Sequence, residues 1–284
     1  MQKTYYVDGK FVNAENAAIP ITDLAIVRGY GVFDFFRTYE GLPIQLERNV
    51  QRLRNSARVI EMELPWSNEE IADIVMQTVE RNSFDESNVR IIVTGGDSPN
   101  FIMPDEQPRL LVYVEPLQPL PDWWYTQGVK VITVEEERYL PRSKSLNYIP
   151  AIVALKQAHR ANAVEALYMD HQNHVREGTT TNVFAFFGDK VITPAMDILP
   201  GITRGRVIEI LERDYAVVER SLDYDELLAA DEVVITAANK QVVPVVQVDA
   251  HVYGERPGQR SLKLMQDFAD YVAGQVHRRP QVSG

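Results

Sequence analysis

The sequence predicts an α+β fold with mixed sheets, because β-prone runs bounded by turns are interspersed with amphipathic helical segments. Near the N-terminus, Thr4–Val7 and Lys10–Val12 flank Asp8-Gly9, a dipeptide that tolerates positive φ and favours a β-hairpin. Two helical patterns follow within the first third of the chain, and a proline-rich stretch comes after them. These three features predict sheets and helices divided between two domains.

The first third is predicted to contain a second hairpin, two helices and two further strands. Val32–Tyr39 and Leu42–Leu46 flank a Glu-Gly turn and form that second hairpin. Apolar residues at spacings of three and four then predict a helix: Val50, Leu53, Ala57 and Ile60. Ser67 followed by Glu70 forms a capping-box pattern, which predicts that a second helix begins near Asn68. The two further strands are Val89–Thr94 and Leu110–Val114.

Three prolines within six positions divide the chain: Pro116, Pro119 and Pro121. Proline interrupts both helices and inner strands, so we place a domain boundary here. We expect a small N-terminal domain at residues 1–116, an interdomain loop at 117–128 and a large C-terminal domain at 129–284. The predicted helices of the second domain are 150–161, 203–213 and 261–276, and its predicted strands are 129–134, 166–169, 182–187, 190–193, 217–220, 232–236 and 242–248. The tail from His277 to Pro280 is expected to be frayed and solvated.

Composition narrows the class of protein. The chain has 284 residues, of which 45% are apolar and 24% charged, as in ordinary globular proteins. Its net charge of −11 predicts a surface that repels phosphate backbones, so we expect no nucleic-acid partner. The absence of cysteine excludes disulfides and thiolate chemistry. The N-terminus has no signal pattern and no window reaches ~18 apolar residues, so we expect a cytoplasmic protein without a membrane partner.

Several widespread motifs are absent from the sequence: the Walker loop, G-x-G-x-x-G, G-x-S-x-G and H-E-x-x-H. His171 and His174 are the only close pair among five histidines, and they lie in a turn rich in aspartate and asparagine. We interpret them as solvated turn residues rather than metal ligands, and we predict no metal site.

Lys144 lies in a polar segment just before a predicted helix, with Arg142 as a cationic neighbour. A lysine becomes a Schiff-base nucleophile only where burial or nearby positive charge lowers its pKa. Taken alone, Lys144 is therefore more consistent with a surface lysine.

Two further segments contain residues that are suited to binding a cofactor or a phosphate group. Glu177 precedes a Gly-Thr turn, where its carboxylate is suited to orienting a heteroaromatic nitrogen. Gly201-Ile202-Thr203 opens a helix whose first amides point outward, which makes a ready phosphate site. An ordinary helix start has the same pattern, so this segment alone leaves both readings open.

Taken together, these residues resemble the class IV aminotransferases, the fold-type-IV enzymes that use pyridoxal phosphate. The resemblance covers nearly the whole chain and includes Asp8-Gly9, Gly29–Asp34, Arg52-Leu53, Ser56-Ala57, Lys144, Asn147-Tyr148, Glu177–Asn182, Leu199–Arg204, Asp231–Val233 and Pro244-Val245. It implies a small α/β N-terminal domain and a larger C-terminal pseudo-barrel domain, with the cofactor between them. It also implies a homodimer in which each active site borrows residues from the neighbouring subunit.

By this resemblance, Lys144 is the catalytic lysine that forms the Schiff base with the cofactor, and Glu177 pairs with the pyridine nitrogen. A protonated ring nitrogen held by Glu177 makes the cofactor an electron sink. Once substrate has displaced it, the Lys144 amine can carry a proton between the substrate Cα and the cofactor. The other implied cofactor contacts are Tyr148 to the 3′ oxygen, and Arg52, the amides of Ile202 and Thr203, Ala238 and Asn239 to the phosphate. The family often has a hydroxyl residue at the position of Ala238.

The substrate is indicated by departures from two known subgroups. The R-x-H element of D-amino-acid transaminases is replaced by Ser98–Met103, and only Arg90 remains of the Y-x-R strand of branched-chain enzymes. Arg28 and Arg90 occupy positions that face the substrate in relatives, Arg28 being donated by the other subunit. Two guanidinium groups favour a dicarboxylate. Alternatively, Arg90 pairs with an acid in its own strand and Arg28 lies on the surface, with Asp34 as a candidate partner.

We therefore hypothesise a D-amino-acid transaminase. It would transfer an amino group by a ping-pong mechanism between D-glutamate or D-alanine and a 2-keto acid such as 2-oxoglutarate. Three alternatives stay open: an L-branched-chain-amino-acid aminotransferase, an aminodeoxychorismate lyase, and a homologue that binds pyridoxal phosphate without catalysis.

Overall fold

The computed structural model describes residues 2–277, and the predicted behaviour of the tail beyond His277 lies outside them. The described chain forms two compact units. The first contains residues 2–118, 142–147 and 275–277, and the second contains residues 119–141 and 148–274. The interdomain loop predicted at 117–128 stays a prediction.

The first unit is built around one antiparallel sheet. Its elements are β1 (Thr4–Val7), β2 (Lys10–Asn13), α1 (Leu24–Arg28), β3 (Gly31–Tyr39), β4 (Leu42–Pro43), α2 (Leu46–Val59), α3 (Asn68–Asn82), β5 (Ser87–Thr94) and β6 (Arg109–Pro116), with a 3-10 turn at Ala14–Asn16. The strands lie in the order β2-β1-β6-β5-β3-β4.

Alternating side chains give this sheet two different faces. One face and the two long helices, α2 and α3, contribute to a single apolar core, whose members include Leu53, Ile71, Val89, Ile91 and Val112. Burying each such side chain contributes roughly 1.5–3 kcal/mol. On the alternate positions, the register places Phe35 beside Arg90 and Arg90 beside Tyr113. A row of aromatic and cationic residues therefore crosses three neighbouring strands.

Local sequence signals predict much of the first unit correctly. The first hairpin turns at Asp8 and Gly9, both with positive φ. The capping box of α3 is present, with Glu70 N donating to Ser67 Oγ at 3.1 Å. The strand predicted over Leu42–Leu46 is wrong beyond Pro43, because Gln45 has a left-handed conformation and the helix α2 begins at Leu46.

The second unit contains one mixed sheet and the helices associated with it. Its elements are α4 (Trp123–Thr126), β7 (Val129–Glu135), α5 (Ile149–Arg160), β8 (Glu165–Met169), β9 (His174–Gly178), β10 (Asn182–Phe187), β11 (Lys190–Thr193), α6 (Ile202–Leu211), β12 (Ala216–Glu219), β13 (Leu222–Asp223), α7 (Tyr224–Leu228), β14 (Glu232–Ala237), β15 (Gln241–Val248), β16 (His251–Val252) and α8 (Gln259–His277), of which residues 259–274 belong here.

The sheet of the second unit has the strand order β12-β11-β10-β14-β15-β7-β8-β9-β13, and β16 pairs with β15. Three pairs are parallel, namely β11 with β12, β15 with β7 and β7 with β8, which confirms mixed sheets. Apolar side chains of α6 and α8 pack with those of β10 and β14 in one core cluster. None of the helices within residues 2–277 combines the length and apolar composition of a membrane span.

The strand β9 is missing from the sequence prediction, although it carries Glu177. Its residues include three charged or titratable side chains, and its burial depends on pairing with β8 and β13. Glu177 consequently lies near the end of β9, just ahead of the predicted Gly-Thr turn that leads into β10.

Candidate active site

Lys144 is held against the first sheet by its backbone. Its carbonyl oxygen accepts a hydrogen bond from Phe33 N at 2.9 Å, and Leu146 N donates to Gly31 O at 3.0 Å. A Cβ atom on Gly31 would lie 2.6 Å from Leu146 Cδ1 and 2.7 Å from Val93 O, so only glycine allows this approach. The lysine segment therefore lies directly along the start of β3.

Ser56 of α2 holds the same segment from a second element. Its hydroxyl accepts a hydrogen bond from Lys144 N at 3.1 Å, and its carbonyl oxygen accepts one from Ser143 Oγ at 3.0 Å. Both Ser56 and Ser143 are fully buried. Because residues of β3 and α2 both form hydrogen bonds with its backbone, the position of the Lys144 backbone is fixed.

The Lys144 side chain lies over an aromatic ring that it shares with an arginine. Its Nζ atom is 4.7 Å from the centre of the Phe33 ring, and Arg90 Cζ is 5.2 Å from the same centre. Arg90 Cζ is also 5.3 Å from the ring centre of Phe35 and 5.8 Å from that of Tyr113. The two cations thus share one aromatic patch of the first unit.

The Arg90 guanidinium is poorly satisfied within the described chain. Its Nε atom is buried and has no hydrogen-bond partner among residues 2–277. Aromatic faces stabilise a cation modestly, but they offer no acceptor for its N–H groups. The ion pair with an acid of its own strand, the alternative to a substrate role, is not found within residues 2–277.

Arg28 and Asp34 occupy different environments. Arg28 is the exposed last residue of α1, and its Nη1 atom donates to Val27 O at 2.8 Å. Asp34 is fully buried, and its carboxylate accepts from Arg52 Nε and Nη2 at 2.8 and 2.9 Å and from Asn49 Nδ2 at 2.8 Å. Asp34 is therefore committed to α2, and the suggested pairing with Arg28 is wrong.

In the second unit, a buried network surrounds Glu177. Its Oε1 atom accepts from Arg138 Nη1 at 2.7 Å, and its Oε2 atom accepts from Leu199 N at 3.0 Å. Asn182 Nδ2 lies 3.5 Å from Glu177 Oε2 and donates to Leu199 O at 3.0 Å. The carboxylate is 4% exposed by residue and is held from three directions.

Arg138 was not predicted from the sequence. It follows three consecutive glutamates, Glu135–Glu137, so it has the pattern of a solvated charged segment. Its partner Glu177 is 39 residues away, and only the fold brings them together. The general rule that a buried carboxylate such as Glu177 requires a cationic partner is the one argument from which such a residue could have been expected.

The helix α6 begins within Gly201–Thr203, the segment that was predicted to open a helix. Gly201 is its N-cap and supplies no side-chain cap, and Ile202 and Thr203 are the first two helical residues. A Cβ atom on Gly201 would overlap Asn182 Oδ1. Asn182 therefore packs against this helix start while it also contacts Glu177. Tyr148 immediately precedes α5, and its carbonyl oxygen accepts from Ile152 N at 3.0 Å.

Ala238 and Asn239 lie in the turn between β14 and β15. Two residues before Ala238, the Thr236 hydroxyl is buried and has no hydrogen-bond partner in the described chain. Thr236 pairs in register with Asn182. An orphaned hydroxyl and an uncapped helix start are both suited to a phosphorylated ligand.

The fold is shared with known proteins. The family model for class IV amino-transferases matches residues 31–248, and the chain belongs to that family. A provisionally named branched-chain-amino-acid aminotransferase of Methanocaldococcus jannaschii is 33% identical over 93% of this chain and 95% of that protein. A D-alanine aminotransferase of Staphylococcus epidermidis is 30% identical over 94% and 97%.

Among solved structures, the T.th. branched-chain amino acid aminotransferase with pyridoxamine 5′-phosphate superposes with a TM-score of 0.90. It is 28% identical, and the match covers 99% of this chain and 96% of that one. The predicted family and fold type IV are confirmed. The protein is a class IV aminotransferase, and its cofactor is pyridoxal phosphate.

Proposed function

We propose that this aminotransferase transfers the amino group of a D-amino acid, D-glutamate or D-alanine, to a 2-keto acid such as 2-oxoglutarate. The observation that carries the proposal is the Arg90 guanidinium, which has a buried, unpartnered Nε and lies against three aromatic rings. A substrate carboxylate is the natural acceptor for such a group, because guanidinium and carboxylate form charge-assisted hydrogen bonds. The similarity to D-alanine aminotransferases over nearly the full chain supports the D-configuration.

The other catalytic roles are assigned to residues that are proposed to surround the cofactor. When bound, pyridoxal phosphate supplies an electron sink for the bond broken at the substrate Cα. Lys144 is proposed to hold the cofactor covalently and then to move the proton from Cα. Glu177, kept in place by Arg138 and Leu199 N, holds the proton on the ring nitrogen. These two donors fix the position of the Glu177 carboxylate, which suits that role.

The phosphate is assigned to Arg52, to the amides of Ile202 and Thr203, and to the turn containing Ala238 and Asn239, while Tyr148 is assigned to the 3′ oxygen. The uncapped start of α6 and the orphaned Thr236 hydroxyl support this assignment. Because Ala238 has no side-chain donor, we propose that the Thr236 hydroxyl provides the contact that a hydroxyl residue at position 238 would otherwise make.

A homodimer is also part of the proposal, with Arg28 serving the site of the second copy. Helix α5 supports a partner surface, because Ile149, Ile152 and Val153 are 71%, 52% and 49% exposed. Ile152 and Val153 lie three and four residues after Ile149, so the three side chains share a helix face. Sedimentation should give a dimer, and Ile152→Glu should shift it toward the monomer, whereas Leu262→Glu, at an exposed apolar position of α8, serves as the matched control.

The proposed donor is tested by half-reactions of the purified holoenzyme with D-glutamate, D-alanine, L-glutamate and L-leucine. Conversion of the cofactor is followed by the loss of its visible absorption band. D-glutamate or D-alanine should react fastest. The aromatic lining of Phe33 and Phe35 and the similarity to the M. jannaschii protein favour one second candidate, an L-branched-chain aminotransferase. Faster conversion by L-leucine would select that candidate and reject the D-specific one.

A further inference from the structure

The turn that follows Glu177 closes over a buried carboxylate. Residues Thr179–Thr181 connect β9 to β10, and the hydroxyls of all three donate to the carboxylate of Glu165. Thr179 N also donates to Ala166 O at 3.0 Å. A Cβ atom on Gly178 would overlap Thr181 Oγ1, so the closure requires glycine. The turn is thus shaped around Glu165.

Glu165 is fully buried, and within residues 2–277 its ion-pair partner is Lys240. Lys240 Nζ donates to Glu165 Oε2 at 3.2 Å and to Thr180 Oγ1 at 2.5 Å. Burial alone would raise the pKa of the Glu165 carboxyl, but the Lys240 charge and the hydrogen bonds from Thr179, Thr180 and Ala166 N hold this pKa below its ordinary value. Glu165 is therefore ionised, and its charge depends on Lys240 for compensation.

Lys240 comes from a different turn. It follows Ala238 and Asn239 in the connection between β14 and β15. Its side chain is 12% exposed, so the ion pair is largely shielded from solvent. The Glu165–Lys240 pair therefore joins the turn assigned to the phosphate to the turn that bears Glu177.

We propose that Glu165 and Lys240 are positioning residues, which hold the phosphate turn and the Glu177 turn at the separation that bound pyridoxal phosphate requires. The inference rests on the proposed assignment of Ala238, Asn239 and Glu177 to the cofactor. Neither Glu165 nor Lys240 needs to touch the cofactor in this role. Their contribution is to cofactor retention, because a loosened turn must be ordered again each time the cofactor binds.

The test is a titration of cofactor-free protein with pyridoxal phosphate, followed by fluorescence and by the visible absorption band. The proteins are wild type, Lys240→Met, Lys240→Arg, the double variant Glu165→Gln/Lys240→Met, and the control Lys190→Met at an exposed position of β11. Thermal unfolding of each cofactor-free protein is measured in parallel. Lys240→Met should weaken cofactor binding by about tenfold or more, since it breaks the Glu165–Lys240 ion pair between the two turns and leaves an unpaired buried charge. Lys240→Arg and Lys190→Met should bind as wild type.

The double variant separates positioning from simple stability. Glu165→Gln removes the uncompensated charge, so the unfolding temperature of the double variant should be higher than that of Lys240→Met alone. The weakened cofactor binding should persist, because the ion pair between the two turns is still absent. Recovery of both quantities would overturn the proposal, as would wild-type affinity in Lys240→Met. If Lys240→Met does not fold, the double variant provides the same comparison. A failure of the proposed donor specificity is read on wild type alone and leaves these ratios unaffected.

Discussion

Asp34 and Arg52 form a two-pronged ion pair inside the first unit, with the carboxylate fully buried and the Arg52 side chain 12% exposed. Two parallel hydrogen bonds fix the plane of the guanidinium as well as its position. Arg52 therefore enters its proposed phosphate contact already oriented, and Asp34 is the residue that orients it.

Replacing Asp34 should cost far more stability than replacing an exposed ion-pair partner. Asp34→Ala removes the carboxylate from a buried pair and should lower the free energy of unfolding by about 3–5 kcal/mol. Lys263→Met, at an exposed pair with Asp214 and Asp267, should lower it by less than about 1 kcal/mol. Urea unfolding of the two cofactor-free variants measures the difference. Equal losses would contradict the assigned importance of burial.

Replacing Arg90 should affect the substrate and spare the cofactor. Arg90→Ala should raise the Michaelis constant for D-glutamate and 2-oxoglutarate by about 10- to 100-fold, the range expected for lost hydrogen bonds to a charged group. The affinity for pyridoxal phosphate should stay within about twofold, because Arg90 is not assigned to it. Arg58→Ala, at an exposed position of α2, is the control. Unchanged Michaelis constants would remove Arg90 from the substrate site.

Two glycines near the start of α6 should respond in opposite directions to alanine. At Gly205 nothing lies within 4 Å of an added Cβ, so Gly205→Ala should stabilise the protein by about 0.5–1 kcal/mol through helix propensity. At Gly201 the added Cβ overlaps Asn182 Oδ1, so Gly201→Ala should lower both stability and cofactor affinity. Thermal unfolding and cofactor titration report these effects. A Gly201→Ala protein with normal cofactor affinity would argue against a phosphate site at this helix start.

Asp170 should make folding stability depend on acid pH. Burial alone would raise the pKa of its carboxyl, but hydrogen bonds from His174 and Gln172 and the charge of Arg176 hold this pKa well below its ordinary value of 3.8. A lowered folded-state pKa contributes stability above pH 3.8 that disappears as the pH falls further. Asp170→Asn should therefore be less stable than wild type at pH 7, and the difference should shrink below pH 3.8.

Unfolding temperatures measured from neutral pH down to about one pH unit below the ordinary carboxyl pKa should show this convergence. Asp73→Asn, at an exposed position of α3, provides the comparison and should differ little from wild type throughout. A stability difference for Asp170→Asn that stayed constant with pH would show that its cause is lost packing, and not the ionised carboxylate.

Features encoded by neighbouring residues were predictable from the sequence. The hairpin at Asp8 and the start of α3 at Ser67 depend on turn and capping chemistry within a few residues. The start of α6 at Ile202 was predicted to within one residue for the same reason. Recognition of Lys144 and Glu177 depended on the family resemblance, and their roles stay predictions.

Features created by distant pairing left no local signal. The strand β9 has a polar sequence and becomes buried only through its neighbours. Arg138 and Lys240 are ordinary charged residues until the fold brings each to a buried carboxylate, Glu177 and Glu165. Helix α1 has five residues, too few for periodicity to reveal it.

The six-residue segment that carries Lys144 belongs to the first unit, although residues of the second unit precede and follow it in the chain. During synthesis, the ribosome must therefore make residues 119–141 before the start of β3 can acquire its hydrogen bonds to Lys144 and Leu146. The buried hydroxyl and carbonyl of Ser56 likewise gain their hydrogen bonds from Lys144 N and Ser143 Oγ only after this segment has been made. A nascent chain that has emerged only to Gln118 consequently carries an incomplete first unit, and the segment with the proposed catalytic lysine joins it only later in synthesis.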